Sequence, residues 1–138
     1  MPSVIVETSV ICRLLRAGEE LPEKYAGDPL FQFMKYDPDW VWVVERKEDE
    51  KIIGYLVTTP VYPMVTMLRV RMDEDAPAHS VIVLLRRFFD DVRRRTFRQM
   101  NSQFDMTEEA EKKLAEGMVK FFGGRMFVNV VAPLPKEE

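Results

Sequence analysis

The sequence predicts a mixed α/β domain, and three patterns carry that prediction. Runs rich in β-branched and aromatic residues, at 40–46, 51–58 and 65–72, are separated by turn and breaker residues, as strands are. Val81, Leu84, Leu85, Phe88, Phe89 and Val92 fall at i, i+3, i+4, i+7, i+8 and i+11, which is one apolar stripe along a helix. Met106, Ala110, Leu114, Met118, Phe121 and Phe122 make a second stripe, opposite a face of Glu and Lys.

Taken in order, residues 3–7 are a short β-branched segment that reads as a strand. Thr8 or Ser9 then caps a helix through Ala17, with Val10, Leu14 and Leu15 facing inward and Gly18 as its stop. Asp28-Pro29 is a second helix start, for about two turns through Leu30, Phe31, Phe33 and Met34. Asp37-Pro38 is expected to end it. The charged turn Lys47-Glu48-Asp49-Glu50 joins the runs 40–46 and 51–58 into a hairpin. Pro60 and Pro63 bracket Val61-Tyr62, so the path on to Val65 is expected to be longer than a tight two-residue turn. Residues 96–104 carry no helical stripe and read as a strand. Asp105 or Thr107 opens the last helix, Gly123-Gly124 ends it, and 126–131 is the final strand.

The length of 138 residues fits one domain over 1–138, able to bury roughly two-thirds of its unfolded surface. With 46% hydrophobic and 31% charged residues, the composition is that of a globular protein and excludes a disordered tail. A net charge of −3 offers no global attraction for nucleic acid. No apolar run approaches the ~20 residues of a membrane helix, and Met1-Pro2-Ser3 lacks the basic and apolar regions of a signal peptide. A cytoplasmic location is the expectation. The single cysteine, Cys12, forms no internal disulfide and is read as a small buried hydrophobe.

The stretch 65–92 organises the chain: strand, short loop, helix N-terminus. That arrangement seats phosphates, because free N–H groups and the helix dipole converge there. The loop chemistry argues against it here. No glycine occurs between Gly54 and Gly117, Pro77 removes a donor, and Asp73, Glu74 and Asp75 stand where an anion would arrive. The dipole supplies only ~0.3–1 kcal/mol to an anion. One carboxylate about 4 Å away costs ~1 kcal/mol in water and ~4 kcal/mol at an effective dielectric near 20. The three acids are read as a solvated turn and not a metal site, since no calcium-loop spacing follows them. His79, the only histidine, has no Ser or Cys nucleophile beside it and is read as a surface or capping residue.

Arg86, Arg87, Arg93, Arg94, Arg95 and Arg98 place six of the 20 basic residues within 13 positions. Asp90 and Asp91 lie among them at pairing distance along a helix. The plain reading is a solvated, paired face. The sharper one is that Arg86, Arg87, Arg93, Arg94 and Arg98 bind an acidic protein partner, for which arginine is well suited. Nucleic acid fits less well, because the aromatics of this helix lie on its buried side and cannot stack on bases. Trp40, Trp42, Tyr55 and Tyr62 crowd the first half of the chain, and core packing is their default use.

The order strand, helix, helix, three strands, helix, strand, helix, strand resembles the GNAT family of acyl-CoA N-acyltransferases over essentially the whole chain. Two passages carry the likeness. Trp40-Val41-Trp42-Val43-Val44-Glu45 through Ile52-Ile53-Gly54-Tyr55-Leu56-Val57 resembles the family's second and third strands, and Lys120-Phe121-Phe122-Gly123-Gly124-Arg125-Met126-Phe127 resembles the end of its last helix. The resemblance implies a twisted, mostly antiparallel sheet flanked by helices. It also implies that, if acetyl-CoA binds, Ala76, Ala78, His79 and Ser80 hold it. Family members write that loop as Gln or Arg, two residues, Gly, one residue, Gly or Ala, whereas 73–80 supplies neither glycine nor a basic residue. The family's thiolate-protonating tyrosine matches Val119 or Lys120, so no catalytic residue is assigned. The expectation is a GNAT-like domain without acetyltransferase activity and without a cofactor, serving as a structural or protein-interaction component. Small proteins of this eroded kind resemble virion components of tailed bacteriophages. The alternative is an acetyl-CoA-dependent N-acyltransferase with an atypical donor loop. Homo-oligomerisation is left open.

Overall fold

The computed structural model describes residues 9–104 and 107–123. The chain divides into two compact units, Met1–Gln103 and Phe104–Glu138. The first unit holds a five-stranded sheet in chain order: β1 (Val10–Leu14), β2 (Val41–Arg46), β3 (Ile52–Val61), β4 (Met64–Met72) and β5 (Gln99–Ser102). The first four strands pair antiparallel and β5 runs parallel to β4. A parallel neighbour demands a crossover, and helix α2 (Ser80–Arg94) supplies it. The mixed α/β class with a mostly antiparallel sheet is therefore the observed one.

β1 stands where the sequence pattern predicts a helix through Ala17. Val10 and Cys12 are buried while Ile11 between them is 39% exposed, a two-residue alternation that three inward positions of a short helix mimic. Pairing of Val10–Leu14 with β2 then satisfies the backbone, which an isolated nine-residue helix could not do as well. Gly18 has φ +81° in the turn that follows, a conformation that favours glycine. The segment 3–7 lies outside the described residues.

Helix α1 is the single turn Leu30–Phe33, shorter than expected. Asp37-Pro38 opens a further 3-10 turn, Pro38–Trp40, with the Asp37 carboxylate accepting from the Asp39 N–H at 3.0 Å. β2 and β3 form the expected hairpin across residues 47–50. β3 continues to Val61, which pairs with Met64, so Tyr62-Pro63 is the tight two-residue turn that the two prolines were expected to forbid. The Tyr62-Pro63 peptide is cis, as in the turn class with proline at its third position.

The sheet has two apolar faces. On one, Leu15, Val41, Val43, Tyr55 and Val57 are buried with Tyr25, and Leu21, Leu30, Phe31 and Tyr36 pack over them. On the other, α2 sets Leu84, Leu85, Phe88 and Val92 down as its stripe predicts. Phe88 meets Trp42 at 4.9 Å between ring centroids. Fully burying such a side chain is worth about 1.5–3 kcal/mol. Trp42 is thereby a core residue, and its indole N–H donates to Asp91 at 2.8 Å.

In the second unit, α3 (Glu109–Phe122) buries Met118 of the predicted stripe together with Ala115, while Ala110 of that stripe is exposed; the helix ends at Gly123, whose φ of 69° closes the last turn. The strand expected at 126–131 lies outside the described residues. No helix among the described residues is long and apolar enough to cross a membrane.

Candidate functional site

β4 carries the site because its two edges differ. β3 pairs with it along its whole length, but β5 pairs only with Met64–Met67. Among the described residues, that edge has no partner strand from Leu68 to Met72 for its main-chain donors and acceptors. A β-bulge falls at the same place: Val57 pairs with Arg69 and Thr58 with Met67, leaving Leu68 as the extra residue. The bulge brings Leu68 onto the Val57 and Tyr55 face, where it packs against that core. Gly54 lets β4 approach closely further on, since a Cβ there would run into the Met72 sulfur and lie 2.9 Å from the Arg71 carbonyl oxygen.

The open edge leads into the loop 73–79 and the head of α2. Ser80 N–H bonds to the Pro77 carbonyl and Ala76 N–H to that of Asp73. Among the described residues nothing engages the N–H of Ala78 or His79, and the first turn of α2 has no intrahelical acceptors for its own. The Ser80 hydroxyl is fully buried there without a hydrogen-bond partner. Of the acids expected to repel an anion, two are ion-paired, one of them with an arginine that also holds Asp49. Asp73 accepts from Lys24 Nζ and from the Tyr25 hydroxyl at 2.8 Å, and Asp75 accepts from Arg46 at 2.9 Å. These cations come from a 3-10 turn (Glu23–Tyr25) and from the end of β2, so no local reading of the loop could find them. A cavity of about 480 Å³ opens beside the loop, with Lys24, Tyr25 and Arg71 among its walls.

On the side of the sheet away from α2, a buried polar cluster adjoins the bulge. Asp28 is 2% exposed, and its carboxylate accepts from the Leu30 N–H at 3.0 Å, the Tyr55 hydroxyl at 2.8 Å and Arg69 Nε at 2.9 Å. Burial alone would raise that carboxyl, but the three donors outweigh it and hold it below its ordinary value. Burial pushes the Tyr55 and Tyr25 hydroxyls up, and their bonds to Asp28 and Asp73 push them further. They are donors here, not proton-exchange groups near neutrality.

The arginine face is partly committed within the chain. Arg87 donates to Asp91 at 2.9 Å and to the Cys12 carbonyl at 3.1 Å, and Arg93 pairs with Asp90 at 3.1 Å. Arg95 lies over the Trp40 ring at 4.6 Å. Arg86, Arg94 and Arg98 are exposed. Asp91, expected as a surface acid, is 9% exposed and joins Arg87 to Trp42. No group of three or more metal-ligating side chains occurs among the described residues.

The five-stranded, mostly antiparallel sheet, the short parallel β5 beside β4 and the crossover helix are those of the GNAT acetyltransferase fold. Solved structures bear this out. An aminoglycoside acetyltransferase from an uncultured soil metagenomic sample, in complex with sisomicin, is similar at a TM-score of 0.63 and 14% identity, over 92% of this chain and 97% of that one. The ribosomal-protein-S18-alanine N-acetyltransferase of Escherichia coli is similar at 0.59 and 15%, over 79% and 76%. N-acetylglutamate synthase of Neisseria gonorrhoeae, complexed with coenzyme A and N-acetyl-glutamate, is similar at 0.60 and 14%, over 80% of this chain and 28% of that one. At such identities the likeness is one of fold. No family model and no curated relative matches the sequence.

The expectation of no cofactor is overturned. The structural neighbours are acetyltransferases, one of them holding coenzyme A. Its physical ground is weakened as well, because Lys24 pairs with Asp73, and Arg46, which also holds Asp49, pairs with Asp75. The residues present fit such a ligand: an open strand edge, unengaged N–H groups at Ala78 and His79, and an orphaned hydroxyl at Ser80.

Proposed function

We propose that this chain is an acyl-CoA-dependent N-acyltransferase whose donor loop works without glycine. The observation that carries the reading is that β5 ends at Ser102, opposite Met67, so that beyond its bulge β4 runs towards the head of α2 with that edge lacking a partner strand among the described residues. An extended arm bearing amides can pair with the open edge of β4 as an added strand would. Ala76, Ala78, His79 and Ser80 line the approach to the helix N-terminus, where Ala78 and His79 offer N–H donors to phosphate oxygens. Lys24 pairs with Asp73, and Arg46 pairs with Asp75 as well as Asp49, so the repulsion of an anion by these carboxylates is lessened. Acyl-CoA supplies a thioester, whose carbonyl carbon the acceptor amine attacks and whose sulfur departs. Main-chain N–H groups freed around Leu68 are suited to the negative charge that develops on the carbonyl oxygen. The Asp28 cluster makes the neighbouring wall rigid.

The test is a thermal-shift titration of the full chain with acetyl-CoA. At 100 times the dissociation constant, binding to the folded state adds about 2.7 kcal/mol and raises Tm by several degrees. Ser80→Ala should keep the fold and lessen that rise. A Tm that stays flat to millimolar acetyl-CoA would sink the reading.

A further inference from the structure

We infer that Arg69 and Arg71 form an acceptor subsite that selects an amine carrying its own carboxylate or phosphate, an inference that rests on the acyltransferase reading above. Both arginines follow the bulge, and regular pairing resumes there, Arg69 opposite Val57 and Arg71 opposite Tyr55. Cross-strand partners share a face, so both project away from α2, about 7 Å apart along the strand. This is the face onto which the bulge brings Leu68.

The two side chains are held differently. Arg69 gives only its Nε to Asp28, and its side chain remains 42% exposed, with no partner on the terminal nitrogens among the described residues. Asp28 is itself fixed by Tyr55 and Leu30, so the guanidinium is aimed rather than free. Arg71 is exposed at the cavity wall and has no hydrogen bond or ion pair among the described residues.

Nearby acids do not compete strongly. Asp28 is taken by Arg69 and Asp73 by Lys24 and Tyr25, while Asp75, 70% exposed, shares Arg46 with Asp49. Glu74 is exposed on the rim, where an ion pair is worth about 0–1 kcal/mol. Two guanidinium groups on one strand face suit bidentate pairing with a carboxylate or phosphate. A purely cationic amine would meet two like charges on its way to the bulge. The open depression of about 480 Å³ is lined by Arg71 but not by Arg69, with Lys24 on the same wall and Asp73, Glu74 and Asp75 around it.

Calorimetry on the full chain saturated with CoA tests this. The titrants are the N-acetyl amino acids against their C-terminal amides, and O-phosphoethanolamine against ethanolamine. The expected result is at least tenfold tighter binding of the anionic member of one pair series, and the series with the larger margin tells carboxylate from phosphate. Arg71→Ala should remove most of that margin, Arg71→Lys should restore part of it, and binding of the uncharged N-acetyl amino acid amides should not move. Equal affinity within every pair, no binding of any titrant, or a margin that survives Arg71→Ala overturns the subsite. A loss of CoA affinity in Arg71→Ala would place the residue on the donor phosphates and also overturn it. Failure of the unmodified protein to bind CoA sinks the acyltransferase reading instead. In that case the same titrations without CoA still decide whether the two arginines prefer anions.

Discussion

Glu19 shows what one residue contributes through its neighbours. Arg13 donates to it through both terminal nitrogens, at 2.8 and 2.9 Å, and the Arg16 N–H adds a third bond at 2.9 Å. The Arg13 hydrogen bonds are the main reason that its carboxyl falls from 4.5 to about 2. A depressed acid stabilises the fold above its unfolded value, and that contribution is lost as pH falls from about 4.5 through about 2. Glu19→Gln should therefore cost about 1 kcal/mol at pH 7 and nothing below pH 2, because the carboxyl is then protonated in both states. Urea melts of both proteins across that range check it, and parallel curves would show that the pair contributes nothing. Arg87 teaches a related lesson. Its place off the apolar stripe marks it as a surface cation, yet it ties α2 to the Cys12 carbonyl and to the buried Asp91.

At the scale of elements, the helix stripes were legible because i, i+3, i+4 spacing survives whatever the helix packs against. Leu85→Ala and Phe88→Ala should each cost about 2–5 kcal/mol, while Arg86→Ala stays within about 0.5 kcal/mol. Equal losses at Leu85 and Arg86 in urea melts would mean that the buried face is misassigned. The β3–β4 contact is a second test. Gly54→Ala drives a methyl against Met72 and the Arg71 carbonyl, and backbone cannot yield as a flexible side chain does, so a loss of about 1–3 kcal/mol is expected. A neutral substitution would show that β4 shifts freely. β1 was not legible, because Val10, Leu14 and Leu15 satisfy a short helical stripe as well as Val10 and Cys12 satisfy a strand. Its pairing with β2, residues 41–46, decided the matter.

For the molecule as a whole, Cys12 reports on opening. Burial is the main cause that pushes its thiol up to about 12, with Arg87 acting downward and Asp91 upward. Alkylation by iodoacetamide at pH 8 should thus proceed only through opened molecules, speed up sharply in urea, and slow when acetyl-CoA stabilises the closed state. Native-state alkylation as fast as that of a free thiol would contradict the burial. Taken alone, the sequence determined the mixed α/β class, the β2–β3 hairpin, the strand 65–72 and the two striped helices, since each rests on local periodicity or turn chemistry. It also pointed to the loop 73–80, the positions Ala76, Ala78, His79 and Ser80, and the arginine run. Only the tertiary structure decided the charge of that loop, because Lys24 and Arg46 reach it from 49 and 29 residues away. Likewise it alone brought Asp28 and Tyr55 to Arg69, and it alone ended β5 opposite Met67. Long-range pairing of charges and strand edges leaves no local pattern, so sequence spacing cannot carry it.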